Sequence, residues 1–281
     1  MAPISHVLDA IGLLARNVED CELVDAILTG GTFPSRDECA NLKHCKVAYA
    51  PRQHLVDVDE HVDRMFRETL RKLKDAGAEL VEVDLGGDFF ALANRITWPI
   101  FFHDTMPATR EFLATNGMPV SFEEIFAAAG EHIRETWSRS VVPSGPDFIS
   151  DKKYFAAMNV RLELQRRFAF SAFERADALV FPTTPCSAPR IDNQWRFRVT
   201  NREVTDIFLS RNTHPSSAGG VPGISVPMGL NAEGLPLGLE LDAAAGRDRD
   251  LLALARRVER VVGPVAGPAL TALTAKRSSM G

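Results

Sequence analysis

The chain has 281 residues, 45% hydrophobic and 25% charged, the balance of a soluble globular enzyme with a substantial core. A formal net charge of -5 argues against a nucleic-acid groove or an anionic membrane surface as partner. Cys21, Cys39, Cys45 and Cys186 are too irregularly spaced for a zinc site, and with no leader-like start they point to reduced thiols in the cytoplasm.

Along the chain, residues 46–51 read as a short strand ended by a proline. Asp57 and Glu60 form a capping-box pattern, and Val58, Val62, Phe66, Leu70 and Leu73 then mark one apolar helix stripe. Gly77 supplies its stop, and residues 79–84 alternate as a second strand. This predicts a β-α-β unit with parallel strands. Residues 88–175 read as mostly helical, with breaks at Pro99, Pro107, 117–119 and 142–146; such an insertion caps a sheet and walls a pocket. Within it, 154–175 predicts one long helix with Phe155, Met158, Leu162, Phe168 and Phe173 mostly on one face. Residues 177–182 form a continuous apolar run, the pattern of a buried strand. Polar, irregular sequence follows over 183–201. Two strands over 223–227 and 235–241 share a turn at 231–234, and a last helix over 248–262 stops at Gly263. Arg256, Arg257 and Arg260 read as a solvated face of that helix. No apolar run is long enough to span a membrane. Residues 1–263 are expected to form one domain and 264–281 a flexible tail.

Ser5, Asp9, Gly12, Arg16, Val18 and Asp20 resemble the S-x-x-x-D-x-x-G-P-[MI]-x-R-x-V-x-D stretch of amidase signature hydrolases. Leu13 replaces that motif's proline, which loosens a helix start there. Residues 177–185 resemble the family's D-x-L-x-x-P-T-x-P strand and loop, 211–229 its N-x-x-G-x-P-x-x-x-P segment, and 234–240 its G-L-P-x-G-x-Q hairpin. The Arg211-Asn212-Thr213 form is most similar to the branch holding indoleacetamide and mandelamide hydrolases. The resemblance implies a mixed, twisted β-sheet flanked by helices on both faces. It also implies hydrolysis of a carboxylic amide, such as an aryl acetamide, to the acid and ammonia without cofactor or metal. In that family a serine attacks the carbonyl while a second serine, in a cis peptide, relays its proton to a lysine. The resemblance puts this set ahead of Ser5 and maps none of it here, so the isolated chain is expected to be inactive or to fold poorly. Implied partners are a small-molecule amide and either a homodimer or a complementing N-terminal chain. A non-catalytic partner subunit, a remnant, and a relative of the glutaminase subunit of tRNA-dependent amidotransferases are the alternatives.

Among residues that carry chemistry, Ser217 sits in a small-residue loop of the kind that can expose a nucleophile, with His214 beside it. Its place in the later G-x-P segment favours a structural role, because small residues there let backbone pass closely. Asp9 reads equally as a loop-orienting carboxylate and as a plain cap, and Arg16 as its companion. Trp98, Phe101, Phe102, His103, Phe126 and Trp137, with Asn212, Thr213 and His214, are candidates to line an aromatic substrate pocket, although core packing explains each aromatic singly. His44, His54, His61 and His132 stand in polar surroundings and read as surface residues.

Overall fold

The computed structural model describes residues 2–31, 41–265 and 267. Asn17 opens the first helix, α1 (Val18–Thr29), its side-chain oxygen accepting the Asp20 amide at 2.8 Å. The helix therefore starts six residues after Gly12, which has no side chain to cap it, and residues 9–15 are irregular. Strand β1 (Lys46–Tyr49) runs into the single turn α2 (Pro51–His54), whose proline occupies a position where no amide bond is lost. Asp59, not Asp57, caps α3 (Glu60–Asp75), accepting the His61 amide at 2.8 Å. Asp57 instead takes a left-handed turn at φ 55°, which an aspartate tolerates. The predicted stripe of α3 is buried, and β2 (Glu79–Glu82) pairs parallel with β1, as the β-α-β reading requires.

Helix α4 (Phe89–Thr115) continues through Pro99 and Pro107, where breaks were expected. An interior proline costs about 3 kcal/mol or more. Burial of Leu92, Ala93, Ile96 and Ile100 in the core offsets that cost and keeps one helix. Two short helices, α5 (Phe122–Ala128) and α6 (Glu131–Ser140), precede α7 (Asp151–Arg167), which runs into a π-helical segment at Phe168–Phe173. The expected apolar face holds in part: Met158, Phe168 and Phe173 pack in the core, but Phe155 and Leu162 are exposed, and Ala157, Leu164 and Ala172 are buried instead. Phe155 and Leu162 precede the π segment and lie roughly 120–140° from Phe168 around a helix of about 3.6 residues per turn, so they point away from the core side.

Strand β3 (Ala178–Pro182) is buried along its whole length. The stretch expected to be irregular contains a hairpin, β4 (Arg196–Val199) and β5 (Arg202–Thr205), turning at Thr200 with φ 55°. Helix α8 (His214–Gly219), strands β6 (Gly223–Leu230) and β7 (Pro236–Asp242), and helix α9 (Asp248–Val262) complete the described chain. The main sheet has the order β2-β1-β3-β7-β6; β2, β1 and β3 are parallel, and β7 is antiparallel to both of its neighbours. It is a mixed sheet with helices on both faces. Val47, Ala178, Val180, Leu239 and Leu241 face α3 and α9, while Ala48, Leu179 and Phe181 face the α4, α7 and α8 side.

Arg256 corrects the reading of a solvated arginine face. It is buried and pairs with Glu22 of α1 at 3.1 Å, because α1 packs across α9. Residues 266 and 268–281 of the expected tail lie outside the described residues. No helix of the described residues is long and apolar enough to cross a membrane.

Candidate functional site

A cavity of about 600 Å³ opens at the carboxyl ends of the parallel strands, the usual place for ligands in open α/β sheets. Gln53 of α2 builds its floor by donating to Asp84 Oδ1 at 2.8 Å and to the Gly86 carbonyl at 3.1 Å. Gly86 turns with φ 94°, and Phe89 and Phe90 open α4 behind it. The β4–β5 hairpin and a 3₁₀ turn, Asp206–Ser210, form the opposite wall.

Arg211 is the centre of this wall. Its guanidinium lies 5.0 Å from the Phe90 ring centroid and 5.2 Å from that of Phe208, a double cation–π contact. Nη1 donates to the Val56 carbonyl at 2.6 Å and Nε to Asn212 Oδ1 at 3.3 Å, whereas the buried Nη2 has no partner. Burial draws its pKa below the ordinary arginine value, partly countered by the charge of Asp57. Asn212 is fully buried and donates to the Pro182 carbonyl at 2.8 Å, which fastens the segment to the end of β3.

His214 follows on the same turn. Its Nδ1 is 3.0 Å from the Ser210 carbonyl, and since a carbonyl only accepts, Nδ1 carries the proton and Nε2 is a bare acceptor. Nε2 is buried without a partner. Burial lowers the pKa, the Ser210 bond opposes this and the Arg211 charge adds to it, so the ring is neutral at pH 7. His54 corrects the surface reading. It is buried, stacked 4.2 Å from Phe181 with Phe89 and Phe90 at its edges, and burial pushes its pKa down to about 3. Pro51 turns the chain back as β1 ends, and this carries His54 under α4 instead of into solvent.

A second polar group lies on the α8 side of the sheet. Ser216 Oγ donates to Asp242 Oδ2, and Thr183 and Ser225 share a hydroxyl contact at 2.5 Å. A Cβ on Gly223 would lie 2.7 Å from Asp242 Oδ1 and 2.9 Å from Glu240 Oε1, so two carboxyl oxygens converge beside this glycine. Burial raises the pKa of both acids, Glu240 to about 7 and Asp242 well above the ordinary aspartate value, the latter reinforced by the charge of Glu240. Among the described residues no serine hydroxyl is hydrogen-bonded to a lysine or a histidine, and no cluster of three or more metal-ligating side chains occurs.

The remaining sequence candidates are dispersed. Ser217 is exposed, with its hydroxyl 3.4 Å from the Leu8 carbonyl. Close backbone approach does occur nearby: a Cβ on Gly219 would meet the Phe168 ring at 3.0 Å. Asp9 accepts the amides of Ile4 and Ser5 at 2.7 and 3.2 Å, fixing the N-terminal loop, while Arg16 is exposed beside β6. Trp98 stands 5.9 Å from the His214 ring and donates to Asn94, which lines the cavity; Phe101 and Phe102 pack on Trp98. Phe126 and Trp137 stack with Phe122 in a separate group on α5 and α6. His103 stacks on Tyr154 at 4.1 Å and bridges Asp104 and Asp151, and Asp104 also accepts the Ser5 hydroxyl at 2.6 Å. Thus Asn212, Thr213 and His214 lie at or beside the cavity, Trp98 borders it through His214, and the other aromatic candidates do not line it. From sequence Arg211 stands out only as part of a motif, with no role in a pocket, and Phe208 and the acid pair do not stand out as site residues. The acid pair had a legible signal: Leu237, Leu239 and Leu241 alternate on one face of β7, which puts Glu240 and Asp242 together on the other.

A mixed sheet between helical layers, with an aromatic-walled cavity at its strand ends, is an α/β scaffold carrying a candidate ligand site. The chain belongs to the amidase family, whose profile, described as Amidase, matches residues 1–252. It is 31% identical to a mandelamide hydrolase of Pseudomonas putida over 99% of this chain and 55% of the relative. It is also 29% identical to an indoleacetamide hydrolase of Agrobacterium vitis over 92% of this chain and 55% of the relative. A crystal structure of an amidase superposes with a TM-score of 0.75 at 23% identity, covering 93% of this chain and 55% of the other. The chain spans about half the length of these relatives.

Proposed function

We propose that this chain forms the substrate-binding part of an amidase that hydrolyses an aryl-substituted acetamide to the acid and ammonia. The observation that carries the reading is the cavity walled by Phe89, Phe90 and Phe208, in a chain related along nearly its whole length to mandelamide and indoleacetamide hydrolases. Apolar walls with a few polar groups suit an aromatic ligand of this size. In this reading the chain supplies cavity and scaffold, and no nucleophile with its base is assigned within it. This agrees with the described serines, whose partners are carboxylates, a backbone carbonyl and a threonine, none of them a base placed to activate a nucleophile exposed to ligand. The test measures ammonia release from phenylacetamide by the purified chain, alone and mixed with the N-terminal half of a related amidase. Release only from the mixture is expected. Release by the chain alone that is lost in Ser217→Ala would overturn the assignment.

A second reading, a subunit that completes its sheet against another polypeptide, is favoured by one observation. Among the described residues β6 pairs only with β7, leaving its outer edge bordered by the exposed Ile11 and Leu14. Size-exclusion chromatography of the same mixture checks it: a stable complex without ammonia release supports this reading over the first.

A further inference from the structure

We infer that the cavity at the strand ends is a site for an aromatic carboxylate, with the ring against Phe90 and Phe208 and the negative charge between Arg211 and the start of α4. The inference rests on the amide-hydrolase reading only for placing the ligand in an enzyme's substrate cavity.

The charge inventory carries the first step. Four arginines line the cavity. Arg52 pairs with Asp84 at 3.2 Å, Arg196 with Glu203 at 3.4 Å and Arg202 with Asp57 at 3.3 Å. Arg211 has no ion pair among the described residues, and its Nη2 is buried with no acceptor. A buried donor without a partner forfeits a hydrogen bond that an occupant can restore. One positive charge is thus left over inside a largely apolar wall.

The second step is the backbone of α4. The Asp88 side chain does not cap this helix, because its carboxylate is turned to Arg167 at 2.5 Å. The Phe89 amide bonds Gly86, which leaves the Phe90 and Ala91 amides without an intrahelical partner at the positive end of a 27-residue helix. Phe90, Ala91 and the Gly86-Gly87 loop all line the cavity. A helix start of this kind accepts an anion through its free amides. His214, only 7% exposed, lines the same cavity, and its unpartnered Nε2, a bare acceptor, suits a donor rather than the anion itself. Two separately positioned groups, the Arg211 guanidinium and the first amides of α4, therefore call for one negative charge beside an aromatic surface.

Two sources share this chemistry: a free aryl carboxylate, as amide hydrolysis would release, and an aryl amide that carries a carboxylate elsewhere. The experiment titrates the purified full chain with phenylacetate, para-carboxyphenylacetamide and neutral phenylacetamide, following calorimetry and the fluorescence of Trp98 beside His214. At least one carboxylate is expected to bind about tenfold more tightly than phenylacetamide, with affinity falling as salt is raised. Which carboxylate binds identifies the source. In Arg211→Gln, shown to be folded by circular dichroism, the preference should vanish. Because Arg211 also ties down residues 56 and 212, the salt titration on the unaltered chain provides an independent arm. Equal or tighter binding of phenylacetamide, salt-insensitive binding, or no binding at millimolar ligand overturns the inference. None of these outcomes bears on ammonia release, so failure here is distinct from failure of the amide-hydrolase reading.

Discussion

Gly223 leaves the space into which the carboxyl oxygens of Glu240 and Asp242 converge. Gly223→Ala would drive a methyl against both acids and is expected to cost about 1–3 kcal/mol, the range for overpacking, read as a fall in the urea midpoint. The acids also make stability depend on pH. Glu240 is raised from 4.5 to about 7, so its contribution is fully present below 4.5 and is lost as pH rises through 7. Relative to wild type, Glu240→Gln should gain stability between pH 5 and pH 8; an unchanged difference across that range would refute the raised Glu240 pKa. His54 works in the opposite direction. Its pKa falls from 6.5 to about 3, so its contribution is present above 6.5 and is lost as acid charges the buried ring. His54→Phe should therefore flatten the acid side of the Tm profile, measured from pH 7 down to pH 4.

At the scale of elements, α7 offers a direct test of which face packs. Leu164 is fully buried, so Leu164→Ala is expected to cost about 2–5 kcal/mol. Leu162 is exposed, and Leu162→Ala should stay within about 0.5 kcal/mol in the same denaturant titration. The reading of this helix from sequence failed at Phe155 and Leu162 because both are apolar yet fall on the far side from Phe168 at about 3.6 residues per turn, where Ala157 and Leu164 hold the core side. Helix α4 failed differently: local chemistry marks Pro99 and Pro107 as breaks, and only packing partners distant in sequence overrule them. Where local pattern and packing agree, as in α3, β3 and α9, the elements were legible nearly to the residue. The cavity was half legible. Asn212 to His214 were marked by a motif, but Arg211 gains its role from Phe90 and Phe208, whose proximity no local pattern encodes.

Across the whole molecule, β6 is the exposed flank of the sheet, with Ile11 and Leu14 standing beside it in water. An open strand edge with apolar neighbours invites pairing between chains. Light scattering on the purified chain is expected to give a mass that climbs with concentration above 30.9 kDa, and Ile11→Glu with Leu14→Glu should restore the monomer value. A constant monomeric mass for the unaltered chain would show that the edge is protected.

The stretch from Arg211 to Ser216 is six residues long, yet it borders the cavity at one end and grips Asp242 at the other. It is pinned between them where Asn212 meets the Pro182 carbonyl. The wall of the cavity and the packing around Asp242 are therefore held by one short run of main chain, so a substitution that shifts either end has only that run to absorb it.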